Sequence, residues 1–160
     1  MRARFWLAAV VCAVLPDIDV IGFGLGVHYG DMLGHRGFTH SLLFALVVAV
    51  VTVALVFRDA QPLSKMWFRL VTCFFVVTAS HGVLDALTNG GLGVAFFAPF
   101  NSTRYFFPWR PIQVSPIGLD FFSSHRAVAV IVSEIQWVWI PSALIFMAAS
   151  IVRKIATTQK

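Results

Sequence analysis

Long, nearly uncharged apolar runs limit this chain more than any other feature. Phe38 to Phe57 carries only His40 as a possible charge, and Ala127 to Val152 only Glu134; Met66 to Leu87 is broken by Arg69 near one end and by His81 and Asp85 near the other. At about 1.5 Å per residue, each run is long enough as a helix to reach across the roughly 30 Å hydrocarbon core of a bilayer. Only 12% of residues are charged and 59% are hydrophobic, so the solvent for these helices is lipid. The expected fold is all-α: a single integral membrane domain over residues 1–160, a polytopic transmembrane helical bundle with spans near 3–16, 38–57, 66–87 and 127–152.

The first of these segments is the shortest. Phe5 to Leu15 is apolar and is followed by Pro16, which reads as a helix stop. Arg2 and Arg4 ahead of it would suit a secretory signal, but PDID follows in place of a small-residue cleavage site.

Charge suggests an orientation. Arg2, Arg4, Arg58, Lys65, Arg69, Arg153, Lys154 and Lys160 fall on one side of such a threading, and Arg36, Arg104, Arg110 and Arg126 on the other. The bias places the termini and the 58–69 loop in the cytoplasm. The net charge of +5 then reflects topology and attraction to anionic headgroups, and nucleic acid is not an expected partner. Cys12 and Cys73 have no CxxC spacing and are assigned neither disulfide nor metal.

One connection, Thr88 to His125, is long, and it mixes glycines (Gly90, Gly91, Gly93), aromatics (Phe96 through Trp109) and prolines (Pro99, Pro108, Pro111, Pro116). Such a sequence cannot form a regular span, so loop 88–125 is expected to lie at the membrane interface, where aromatic rings are at home. Arg104 and Arg110 within it suit two-pronged binding of a phosphate, which makes them candidate substrate-binding residues; an anchoring loop with no substrate role is the plainer alternative.

The polar residues that interrupt the apolar runs cluster at one side of the threading. His81 and Asp85 lie four apart on a predicted helix and share a face, about 6 Å apart. A polar pair near a helix end can also simply bond its neighbours. Asp17 and Asp19 follow Pro16 in a predicted extended or turn conformation, where both can ligate a cation or one can ligate while the other orients a histidine. His35 and His40 in HRGFTHS are five apart, so His35 belongs to the Gly34–Gly37 turn and His40 to the first turn of the next helix, with Thr39 as its N-cap. Arg36 between them reads as an anion binder or an interfacial anchor. Three histidines with three aspartates, Asp17, Asp19, His35, His40, His81 and Asp85, are the ligand chemistry of a divalent metal, Zn²⁺ first and Mn²⁺ second. Glu134, at about the depth of His81 on its own helix, is a costly intramembrane carboxylate whose partner would be the metal, a ligand histidine, or Ser80 or Thr78.

The strings PDID, GHRGFTHS, SHGVLDALTNGG and RYFFPWRPI together resemble the membrane-bound, metal-dependent hydrolases of bacterial inner membranes whose best-known members are controlled by the repressor LexA. The resemblance covers nearly the whole chain and implies a catalytic metal held by the six residues above. A thinner likeness, an HxxxD pair with an upstream PDxD, is to zinc-dependent phospholipase C. Members of the first family open with a Thr-His pair that this chain lacks. A helix from Met1 to Leu15 would also cover only about 22 Å, so an upstream span of roughly 20 residues is expected.

These features predict a metal-dependent hydrolase of the bacterial inner membrane, cleaving a phosphoester of a lipid or a headgroup-like substrate at the outer, periplasmic face. Arg36, Arg104 or Arg110 would neutralise the substrate, and Glu134 or Asp19 would take the proton. The alternative is a non-enzymatic scaffold or transporter in which the same residues hold an ion.

Overall fold

The computed structural model describes residues 2–115 and 126–158. The 116–125 part of the long loop, with Pro116 and His125, lies outside the described residues, as do Lys160 and the side chains of Arg2 and Arg126. Every regular element among the described residues is a helix, as the apolar runs require.

The first helix does not stop at Pro16. α1 (Arg2–Val14) continues into a 3₁₀ segment, Leu15–Leu25, with the proline in its first turn, where a missing N–H costs least. Asp17 and Asp19 are therefore helical, not extended. Together, Ala3–Leu25 is 23 residues long and apolar enough to cross a membrane, so the shortfall expected of a helix ending at Leu15 disappears.

The second helix starts later than predicted. Phe38–His40 form one 3₁₀ turn, and α2 (Leu42–Val56) is capped by Ser41, whose side chain accepts from Phe44 N–H at 3.1 Å. Thr39 is not the cap, because its hydroxyl is committed to Asp19. α2 is an apolar helix of only 15 residues, about 22 Å long. α3 (Lys65–Ala86) starts at the Ser64 cap, which accepts from Trp67 N–H at 3.1 Å. The last apolar run forms α4 (Arg126–Glu134), a π-helical segment (Ile135–Trp139) and α5 (Ile140–Thr158). Pro141 cannot donate to the carbonyl one α-turn back, and the widened turn just before it accommodates that loss. Among the described residues Lys65–Ala86 and Ala127–Thr158 are also long and apolar enough to span.

The chain divides into two compact units, Met1–Leu87 with Gly91–Pro108, and Thr88–Gly90 with Trp109–Lys160. In the first, α1, α2 and α3 pack around Ala8, Cys12, Val48, Ala49, Val53, Val71 and Phe74, capped by Phe57. Ala8 and Cys12 on α1, like Ala45 and Ala49 on α2, are small residues one turn apart, which is how helices approach closely in lipid. Cys12 and Cys73 are both free thiols. The aromatic stretch 91–108 is laced to this unit. Val94 and Tyr105 exchange both backbone hydrogen bonds, Ala95 N–H donates to Arg36 O, Leu42 N–H to Phe96 O, and Phe107 N–H to Ala86 O. In the second unit, Asn89 N–H donates to Ile112 O, Gln113 N–H donates to the Ser133 hydroxyl at 3.0 Å, and Trp109 meets Trp137 edge-on.

Candidate metal centre

α3 supplies two of the candidate ligands because its HxxxD spacing puts His81 and Asp85 one turn apart on one face. Gly82, beside them, lets a second element press in. A Cβ there would lie 2.9 Å from the His40 carbonyl oxygen, closer than a real side chain tolerates, so the absence of a side chain seats the 38–41 turn against α3. The 3₁₀ segment after α1 brings Asp17 and Asp19 to the same place.

Four atoms converge there. Asp17 Oδ1 lies 3.5 Å from His40 Nε2 and 3.2 Å from His81 Nε2, and Asp85 Oδ2 lies 3.1 Å and 3.8 Å from the same two nitrogens. Donors bound tetrahedrally at about 2.0–2.1 Å from a zinc ion stand about 3.3 Å apart, so each of these carboxylate–imidazole separations is one that a shared ion could bridge; the candidate ligands fall into two groups, Asp17–His35–His40 and His40–His81–Asp85, that meet at His40. The side chain of His40 is fully buried, and its Nε2 makes no hydrogen bond among the described residues. A buried nitrogen facing two carboxylate oxygens needs a cation or a proton between them.

The surroundings fix which nitrogens face inward. His81 Nδ1 donates to the Ala13 carbonyl at 2.8 Å, which leaves the Nε2 lone pair directed at the cluster. Pro16 explains why that carbonyl can serve: in a 3₁₀ pattern the residue three positions on would claim it, and a proline has no N–H. His40 Nδ1 lies 3.0 Å from Thr39 Oγ1 and 3.2 Å from Asp19 Oδ2, so it too donates outward and presents Nε2 to the cluster. A carboxylate behind a ligand histidine is the usual outer ring of a metal site.

Asp19 fills that outer ring. Its side chain is 1% exposed; Oδ1 is 2.9 Å from His35 Nδ1, and Oδ2 accepts from the Thr39 hydroxyl at 2.6 Å and from Arg36 N–H at 3.2 Å. Both oxygens are occupied, which corrects its expected roles as ligand and proton acceptor: it orients His35 and His40. His35 is likewise tied through Nδ1 to Asp19, with Asp17 Oδ1 at 3.8 Å, and groups loosely with Asp17 and His40. Arg36, expected to meet substrate, is buried in the left-handed backbone region, and its guanidinium donates to Asp85 Oδ1 at 2.9 Å, turning Oδ2 toward the two histidines. Asp17, at 49% side-chain exposure, is the candidate ligand most open to the surroundings.

The remaining expected residues are Arg104, Arg110 and Glu134. Arg104 donates to the carbonyls of Tyr29, Asp31, His35 and Gly93 at 2.9–3.4 Å, so it is a strut that ties the aromatic stretch to the 28–36 segment and not a substrate clamp. Arg110 is exposed and belongs to the second unit. Glu134, the last residue of α4, belongs there too, while the ligand groupings come from the first unit. Its suggested partners Thr78 and Ser80 donate back to their own helix, at Phe74 O and Val77 O. Three contributors went unrecognised in the sequence: the Ala13 carbonyl, signalled by Pro16; the Thr39 hydroxyl, misread as a cap; and Gly82, between the two ligands of α3.

The family model for the YdjM inner membrane protein matches residues 2–159. The inner membrane protein YbcI of Escherichia coli (strain K12) is 41% identical over 147 residues, covering 89% of this chain and 80% of the relative. No solved structure matches the chain. Neither comparison returns a hydrolase or a phospholipase C, which overturns both resemblances drawn from the short motifs: short strings of residues do not carry a family's activity. The chain belongs to the YdjM family, and it is a helical protein of the inner membrane.

Proposed function

We propose that this protein binds a divalent metal, Zn²⁺ before Mn²⁺, through Asp17, His40, His81 and Asp85, and uses it to hydrolyse a phosphoester at the outer face of the inner membrane. The approach of Asp17 and Asp85 to both His40 Nε2 and His81 Nε2 at 3.1–3.8 Å carries the reading. Two imidazoles with two carboxylates suit zinc, and the histidine tautomers are already set by Ala13 and Asp19. Bound there, the ion would supply Lewis-acid polarisation of a phosphoryl oxygen and activation of water.

The chain's own groups divide the remaining work. Arg36 offsets the charge of Asp85 and holds it in place. Asp19 and Thr39 keep His40 aimed inward. Asp17, exposed on one side, is the ligand whose displacement would open a position for substrate, and its carboxylate is then placed to take a proton.

A closed structural site, in a scaffold or a transporter, is the second reading, and the observation that favours it is that the site offers as many as four protein donors, enough to fill the coordination of a zinc ion. Metal analysis of the purified full-length chain, followed by a panel of lipid and soluble phosphoesters, separates the two. Stoichiometric metal with turnover supports the hydrolase, metal without turnover the structural site, and absence of metal removes both. The outward orientation is tested with Ser102→Cys and Ser64→Cys in a background lacking Cys12 and Cys73. An impermeant thiol reagent on intact cells should label the first and spare the second, and the reverse would move the site to the cytoplasm.

A further inference from the structure

Beside the ligand cluster the first unit carries an apolar groove of about 430 Å³, lined by Leu42, Leu43 and Leu46 of α2, Phe75 of α3, and Phe96, Phe97, Ala98 and Phe100 of the aromatic stretch. That is a ligand-sized volume. Groove and cluster share a wall. The position a Cβ would take at Gly82 is 2.9 Å from the carbonyl of His40, a ligand, and 3.5 Å from the ring of Phe96, which lines the groove. Leu42, at the groove's edge, is two residues from His40, and its N–H is held by the Phe96 carbonyl.

The lining is also open outward: Leu46 is 45% exposed and Phe100 86%. In an integral membrane protein an exposed apolar groove on an apolar helix meets acyl chains. An occupant that fits groove and cluster together must be apolar at one end and able to approach a cation at the other. We infer that this groove holds one acyl chain of an anionic phospholipid whose phosphate lies at the Asp17–His40–His81–Asp85 centre. This names the substrate class for the function proposed above and rests on that reading; the groove can also be tested without it.

The probe is a phosphatidic acid bearing a diazirine near the end of one acyl chain. It is incorporated at low mole fraction into phosphatidylcholine nanodiscs holding the full-length chain, irradiated, and mapped by peptide mass spectrometry. Crosslinks are expected to concentrate on residues 42–46 and 96–100, about 5-fold above the lipid-exposed face of α5, with the excess lost in Leu46→Trp, which fills the groove. Phe100→Ala, which truncates an exposed side chain and leaves the core untouched, should lower the excess about 2-fold. A diazirine phosphatidylcholine run in parallel should give a smaller excess, because its headgroup carries no net negative charge. Crosslinks spread evenly over the groove and α5, or an excess unchanged by Leu46→Trp in a variant that retains its thermal transition, would overturn the inference. Failure of the metal reading is distinguishable, since it would appear as groove crosslinks on a protein without metal and with no preference for phosphatidic acid.

Discussion

α3 has two ends built on different principles. Toward its start, Val71 and Phe74 are held by volume: Phe74 is wholly buried, its ring centroid 5.4 Å from those of Phe5 and Phe57. Toward its finish, His81 and Asp85 are held by direction, through the Ala13 carbonyl behind one and the Arg36 guanidinium behind the other. In lipid the apolar end gains little from leaving its solvent, so close packing has to hold it together. The polar end consists of groups that lipid cannot satisfy, so each must find its partner within the protein or in a bound ion.

If that division is right, substitutions at the two ends should separate stability from metal binding. Phe74→Ala should cost about 3 kcal/mol of stability in a detergent unfolding titration, at the low end for a buried phenylalanine because lipid removes much of the transfer contribution, with metal content unchanged. His81→Ala should lower metal affinity on the order of 100-fold or more, the upper limit for outer-ring losses, in a chelator competition, with a smaller change in the unfolding midpoint than Phe74→Ala. Parallel losses in both measurements for both variants would erase the distinction.

Asp19→Asn sharpens it, since it keeps every proposed ligand and disturbs only the orientation of His35 and His40. Metal affinity should fall about 10-fold, while substitution of a residue with no part in the site should leave it unchanged. Gly82→Ala lies between the two ends. Its new methyl group would push on the His40 carbonyl, costing about 1 kcal/mol and loosening the metal by a few-fold, both readable in the same assays. The smallest effect belongs to the far end, where Arg4 donates to Asp59 at 2.6 Å and holds that exposed carboxyl below its ordinary 3.8. A depressed carboxylate pKa stabilises the fold above 3.8 and loses that contribution as pH falls below it, so Asp59→Asn should lower the thermal midpoint slightly at neutral pH, leave it unchanged well below pH 3.8, and so flatten the acid limb.

Much of this architecture was legible in the apolar runs. The helix Lys65–Ala86 was expected within a residue of both ends from its apolar run, and the structure adds the Ser64 cap that starts it. The readings that failed were local ones at the polar residues. Pro16 read as a stop, yet the chain passes through it by tightening to a 3₁₀ helix; Thr39 read as a cap, yet its hydroxyl goes to Asp19 and Ser41 takes the cap. In both cases a bond to a residue distant in sequence overrode the local preference. The six ligand candidates were recognisable by type and by their common side of the threading, but type and threading cannot rank them.

By itself, then, the sequence determined that this chain is a helical membrane protein, because runs of twenty apolar residues have no other stable solvent, and it grouped Asp17, Asp19, His35, His40, His81 and Asp85 toward one side of the threading. Only the tertiary structure decided that Asp17, His40, His81 and Asp85 face one another, that Asp19 and Arg36 stand behind them, and that Arg104 is bound up in backbone carbonyls. The reason is geometric: helical periodicity sets which face a residue occupies, while the direction of each donor and lone pair depends on contacts between segments as much as 75 residues apart, as between Arg104 and Tyr29.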